Sequence, residues 1–383
     1  MELYIHLPFC KSKCRYCDFA SYAGCESHMF AYVDALLSEA SVEAKKLSSA
    51  AIETIFIGGG TPSLLPAELL DRLLNGIRNT FHIAPDAEFT SEANPGTLTK
   101  AWLQTAVKHG VNRLSMGMQA YQPELLKILG RIHHFDQVKQ SVTAARAAGI
   151  QNISLDLMFG LPGQTIEQWQ ETLLAALSLQ PQHLSCYGLI PEEGTPLKAD
   201  LDAGRLHLPD EETERAMYDE TLTTLSKHGF EQYEISNFAK PGYACRHNLG
   251  YWRQVPYLGL GASASSMLLT DQPENAYVRQ TNPPKLDDYM HMVEHGRWDE
   301  REIIPIVRSD ARFETMMLGL RTTAGVSADA FRQMHDLSIE DCYGTKLAAL
   351  EQRGLLEYTD NHWRLTRLGM DVQNAILVEL MDD

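Results

Sequence analysis

The chain has 383 residues, enough for one large domain and an appendage. It is 44% hydrophobic and 22% charged, ordinary values for a protein that buries a sizeable core. With 33 Lys and Arg against 50 Asp and Glu, its net charge of −17 repels phosphate backbones and anionic lipid, which argues against nucleic acid as the main partner.

The opening MELYIHLPFC lacks the basic start and apolar core of a signal peptide, and no stretch reaches the ~18 apolar residues that span a bilayer. A cytoplasmic location is expected, where thiols stay reduced. Seven cysteines, three of them clustered, then fit metal or cluster ligation better than disulfides.

In chain order, six short apolar runs read as strands: 3–7, 54–59, 88–93, 112–118, 152–159 and 183–189. Helical patterns fill the gaps at 29–47, 64–77, 99–108, 136–148 and 165–179, with Gly110, Gly149 and Pro181 as stop signals. Strict alternation implies a parallel sheet with right-handed crossovers. A doubly wound sheet and a whole or partial barrel both satisfy it. The barrel is favoured because the chemically loaded stretches follow successive strands: the cysteines, GGGTP, EANP, MGMQ and FGLPGQ. In β/α barrels the strand C-termini build the active site. The expected fold is α/β, a partial (β/α)6 TIM-like barrel over residues 1–235, then a connecting region at 236–300.

Residues 301–383 carry helices and a hairpin around a DN turn, and read as a winged-helix-like module. It holds nine Lys and Arg against 14 Asp and Glu, so a packing role is expected and not DNA binding.

Cys10, Cys14 and Cys17 stand at C-x3-C-x2-C after the first run. Structural zinc takes four ligands, usually as two separated pairs. Iron–sulfur clusters take one cysteine per iron, so three cysteines on a four-iron cluster leave one iron open to an outside ligand. Zinc and incidental cysteines are the alternatives. This motif, with Tyr16 before its last cysteine, resembles the radical S-adenosylmethionine (SAM) superfamily. The resemblance implies a [4Fe–4S] cluster whose open iron is chelated by SAM, and reductive cleavage of SAM to a 5′-deoxyadenosyl radical. It also implies that Gly58, Gly59, Gly60 and Thr61 bind the SAM amino group. Glu92 is a strand-end carboxylate suited to an ammonium, Gln119 and Asp156 end strands and suit ribose hydroxyls, and Arg131 offers a fork for a carboxylate.

Over nearly its whole length the chain resembles the oxygen-independent coproporphyrinogen III oxidase-like group, through YIHLPFC, FIGGGTPSLL, RLSMGMQ and LDLMFGLPGQT. The oxidases continue to a fourth cysteine where Phe19 stands here, which puts oxidative decarboxylation of propionates in doubt and leaves the cluster untouched. His247-Asn248-Leu249-Gly250-Tyr251-Trp252 matches the H-N-x-x-Y-W mark of the HemW-type haem chaperones. A neutral imidazole is a common haem ligand, and Tyr251 and Trp252 suit a porphyrin face. The resemblance therefore implies a haem carrier that serves acceptor haemoproteins such as membrane-bound respiratory enzymes, with at most peripheral membrane contact. Cys245 is a candidate second ligand. Family members usually carry G-x-G-A-H, where this chain has Ser263.

Overall fold

Each of the six apolar runs forms a strand, and the strands pair in the order in which the chain makes them. A computed structural model describes residues 1–47 and 51–381. The strands are β1 (Glu2–Leu7), β2 (Ile52–Gly59), β3 (Ile83–Ala93), β4 (Arg113–Gln119), β5 (Asn152–Phe159) and β6 (His183–Gly188). All five neighbouring pairs are parallel. An order without reversal has no switch point, which decides for the barrel over the doubly wound sheet. Strand β4 is buried at every residue, as parallel strands covered on both faces require.

Helices α1 (Met29–Ala44), α2 (Ala67–Thr80), α3 (Lys100–Lys108), α4 (Phe135–Ala148) and α5 (Ile166–Ser178) alternate with the strands, and α6 (Glu211–Lys227) packs against α5. Helix α2 begins three residues later than its leucine spacing suggests. The Pro66 ring disfavours helical geometry at Leu65, whose ψ is 128°. From there Leu70, Leu73, Leu74 and Ile77 bury one stripe.

The stretch 236–300 is continuous with the sheet. Its strand β7 (Asn237–Ala239) pairs antiparallel to β6, and β8 (Tyr257–Leu260) adds a seventh parallel strand beside β1. Strands β9 (Ser265–Leu269), β10 (Asn275–Thr281) and β11 (Glu302–Val307) extend that edge. Helix α7 (Arg246–Trp252) carries the HNLGYW segment, and α8 (Leu286–His295) packs on α1. A buried ionic knot fastens this part to α1. Arg301 reaches Glu39 at 2.7 Å and Glu43 at 2.6 Å, while Glu39 also accepts from Gly261 N, Tyr289 and Asn282.

The C-terminal part has its own core around Phe331, Leu347 and Trp363. Helices α9 (Arg308–Gly319), α10 (Ala328–His335) and α11 (Ile339–Gln352) precede the hairpin β12 (Leu356–Thr359) and β13 (His362–Leu365). With Val326–Ser327 as third strand, this is winged-helix-like topology. Asp360 and Asn361 both take positive φ, 49° and 64°, the geometry of a two-residue hairpin turn. Residues 382 and 383 lie outside the described residues. No helix among the described residues is long and apolar enough to cross a membrane.

Candidate functional site

Strand alignment puts Leu7, Gly59, Ala93, Gln119 and Phe159 at one end of the barrel. The cysteine loop closes over that end. Its two-residue strand Phe9–Cys10 pairs with Tyr22–Ala23, so the excursion between them is tied at both feet. Within it, Arg15 N donates to Leu129 O at 3.0 Å, and Lys13 Nζ to Phe19 O at 2.9 Å. The cavity beneath encloses about 690 Å³, its mouth included. Cys10, Cys14, Cys17, Tyr16, Gly59, Gly60, Glu92, Gln119, Arg131 and Asp156 all line it. Gly58 and Thr61 stand directly behind that wall, against Glu92 and Cys10 respectively.

Burial pushes the Cys10 and Cys17 thiols up. Among the described residues no three ligating side chains close around a single ion position.

The glycines answer first to the protein itself. A Cβ on Gly59, whose φ is +101°, would lie 2.3 Å from the His6 ring, and one on Gly60 would lie 2.7 Å from the Leu7 and Phe9 carbonyls. Without them β2 could not end against the root of the cysteine loop. Glu92 accepts from Gly59 N at 3.1 Å and has no cationic partner among the described residues. Burial, and then the nearby Asp156 charge, pushes its carboxyl up to about 8. Burial also raises Asp156, which accepts from Ser115 Oγ at 3.0 Å. Gln119 holds a φ of +63° at a register shift in the sheet, strain of the sort found at ligand clamps.

Arg131 lies in a loop and not on a helix surface. Its Nη1 donates to Cys14 Sγ at 3.5 Å, and Nη2 to Asn94 Oδ1 and Gly117 O, each at 2.7 Å. Asn94 was not singled out in the sequence, although it lies in the EANP stretch. It joins Arg131 to Thr61, whose Oγ1 takes its Nδ2 at 2.7 Å and itself points to Cys10 Sγ at 3.6 Å. Ser115 was missed as well, because a serine inside a buried strand carries no local signal.

The HNLGYW segment lies at the opposite end of the barrel, over the N-termini of β1 to β4. There His247 is 1% exposed. Its Nδ1 pairs with Thr54 Oγ1 at 2.7 Å, its Nε2 pairs with Tyr251 Oη at 3.0 Å, and its ring stacks on Phe56. Burial holds the imidazole down at about 3, hence neutral. Both ring nitrogens are thus engaged within the protein. Cys245 is fully buried too, with Sγ 3.4 Å from Glu88 Oε1. Glu88 also accepts from the backbone N–H of Arg246 and His247, capping α7. Gly250 leaves room for the Glu2 carboxyl, which a Cβ would strike. Helical spacing turns His247 and Tyr251 inward and leaves Leu249, Trp252 and Arg253 on the other side, facing the winged module. Ser263, at φ +62°, turns the chain beyond β8 and is not among the residues lining the cysteine cavity.

Residues 4–176 match the radical SAM superfamily and residues 307–372 the HemN C-terminal domain. The chain is 38% identical to the heme chaperone HemW of Bacillus subtilis, over 98% of this chain and 99% of that one. Heme chaperone HemW of Escherichia coli is 35% identical over 98% and 97%, and the mitochondrial radical S-adenosyl methionine domain-containing protein 1 of Bos taurus 32% over 99% and 87%. Among solved structures, coproporphyrinogen III oxidase (HemN) from Escherichia coli superimposes with a TM-score of 0.83 at 24% identity, covering 99% of this chain and 89% of that one. The chain belongs to the radical SAM superfamily and, within it, to the heme chaperone HemW family.

Proposed function

We propose that this chain is a cytoplasmic haem chaperone that carries a [4Fe–4S] cluster on Cys10, Cys14 and Cys17, binds SAM beside it, and delivers haem to acceptor haemoproteins. The observation that carries the cluster and SAM half is the convergence of three cysteines, two carboxylates and an arginine fork on one cavity. The haem half rests on full-length similarity to heme chaperones. Residues 1–235 would form the SAM barrel, 236–300 the haem motif region and 301–383 the module that covers it.

When bound, cluster and SAM supply one-electron reductive cleavage of a carbon–sulfur bond. The protein's own part is positioning. Arg131 takes the SAM carboxylate with the donors that Asn94 and Gly117 now hold, while Glu92 and the Gly58–Thr61 backbone take the amino group. Asp156 and Gln119 take the ribose hydroxyls.

The oxidase reading is the lesser one, because the oxidases carry a cysteine where Phe19 stands. Anaerobically reconstituted protein, loaded with haem and mixed with an apo-haemoprotein, is expected to transfer haem. It is expected to leave coproporphyrinogen III unchanged in the presence of SAM and a reductant. Many turnovers to protoporphyrinogen, without haem transfer, would overturn the proposal. In Cys14→Ala the absorbance near ~400 nm and the iron content are expected to fall away.

A further inference from the structure

The three sulfurs of the cysteine loop each have a hydrogen-bond donor beside them. Thr61 Oγ1 lies 3.6 Å from Cys10 Sγ, Arg131 Nη1 3.5 Å from Cys14 Sγ, and Ser21 Oγ 3.9 Å from Cys17 Sγ. A thiolate has no proton to give, so toward it both hydroxyls act as donors. The Thr61 proton is committed to that direction. Arg131 Nη2 donates to Asn94 Oδ1 at 2.7 Å, which fixes the amide and turns its Nδ2 onto Thr61 Oγ1, also at 2.7 Å. The backbone N–H of Thr61 is tied to Phe9 O at 2.8 Å, one residue before Cys10. Thr61 is 3% exposed and Ser21 2%, so both hydroxyls sit closed to solvent and water does not stand ready to replace them.

Hydrogen bonds to the sulfurs are among the levers that set the potential of an iron–sulfur cluster. A donor draws charge off the sulfur, and this favours the form that carries one more electron. We propose that the hydroxyls of Thr61 and Ser21 raise the reduction potential of the cluster through the Cys10 and Cys17 sulfurs, with Asn94 orienting the Thr61 proton. This rests on the reading that a cluster occupies the three cysteines, and adds which neighbours govern how readily it takes an electron. Both residues act through the sulfurs and are positioning residues. Arg131 acts in the same sense at Cys14, but its place beside SAM makes it the less selective probe.

The test is a redox titration of anaerobically reconstituted full-length protein without SAM, followed by low-temperature electron paramagnetic resonance of the reduced cluster. Thr61→Val keeps the shape of the side chain and removes its hydroxyl. In this variant and in Ser21→Ala the reduction equilibrium constant is expected to fall roughly threefold or more. That is a shift of ~30 mV to lower potential, at about 59 mV per tenfold for one electron. Thr61→Ser puts the hydroxyl back and is expected to return to the wild-type potential. Iron and sulfide contents matching wild type are expected for all three. A wild-type potential in cluster-replete Thr61→Val and Ser21→Ala would overturn the proposal and leave the cluster reading standing. Iron lost from a variant would overturn it for that residue, whose hydroxyl would then be a support of the loop. Wild-type protein that takes up neither iron nor sulfide would overturn the cluster reading itself.

Discussion

His247 Nδ1 lies 2.7 Å from Oγ1 of Thr54, a pairing that spans 193 residues and fixes which side of α7 faces the barrel. Since Tyr251 Oη takes the other ring nitrogen, the imidazole is bound on both edges and stacked on one face. His247→Ala would empty that space and take a partner from the Thr54 and Tyr251 hydroxyls. The expected cost is about 2–4 kcal/mol, read by urea unfolding. Iron content after reconstitution is expected to match wild type, because the cysteines lie at the other end of the strands. A variant as stable as wild type would show that the pairing does not anchor the helix. Haem binding by this variant is therefore to be judged only together with its stability.

The same buried corner makes stability depend on pH. Burial pushes the Glu2 carboxyl up to about 8, and its Oε2 lacks a hydrogen-bond partner among the described residues. In the native state Glu2 thus keeps its proton while the unfolded chain has already lost it. Its contribution is fully present below the ordinary carboxyl value near 4.5 and is lost as pH rises to 8. His247 runs the other way, with a contribution present above 6.5 and lost as pH falls toward 3. Glu2→Gln imitates the protonated carboxyl. It is expected to be more stable than wild type at pH 8 by at least ~1 kcal/mol, a gain that disappears by pH 4.5. Equal stability of the two proteins at pH 8 would mean that Glu2 is ionised in the fold.

The cysteine cavity was legible from sequence because it depends on a rule of position. Once six parallel strands are read, the residues following each strand converge, whatever the details between. Asn94 and Ser115 escaped because their importance comes from what they bridge: Arg131 to Thr61, and Asp156 to the sheet. The enclosure of His247 was hidden for a different reason. His-x3-Tyr spacing puts both side chains on one helix face, and nothing local says whether that face meets solvent or protein. The groups that enclose it, Glu2, Thr54 and Glu88, come from three neighbouring strands that are far apart in the sequence. The left-handed backbone of Gln119 is equally invisible, since glutamine gives no hint of positive φ.

Arg301 shows how firmly the stretch 236–300 is built in. Its guanidinium satisfies Glu39, Glu43 and Asn282 in a place closed to water. Burial raises the Glu39 carboxyl, and the Arg301 charge is the largest influence drawing it back. Arg301→Ala leaves that carboxyl buried without a counter-charge, at an expected cost of about 3–5 kcal/mol. Arg301→Met with Glu39→Gln removes both charges together and is expected to recover part of the loss. Thermal unfolding of the two variants checks this. An alanine variant within 1 kcal/mol of wild type would contradict it.

Arg131 offers the sharpest test of the SAM side. Its fork holds Asn94 Oδ1, Gly117 O and Cys14 Sγ at once, an arrangement that a single ammonium cannot copy. Arg131→Lys keeps the charge and loses the two-pronged grip. The lost charge-assisted hydrogen bonding is worth about 1.5–3 kcal/mol, so SAM affinity is expected to fall roughly 10- to 100-fold. The measurement is equilibrium binding of SAM to anaerobically reconstituted protein. Iron and sulfide contents are taken from the same sample, so that a missing cluster is not mistaken for a missing contact. A cluster-replete Arg131→Lys that binds SAM as wild type does would remove Arg131 from the SAM site. A variant that loses iron in step with SAM would instead assign Arg131 to holding the Cys14 sulfur.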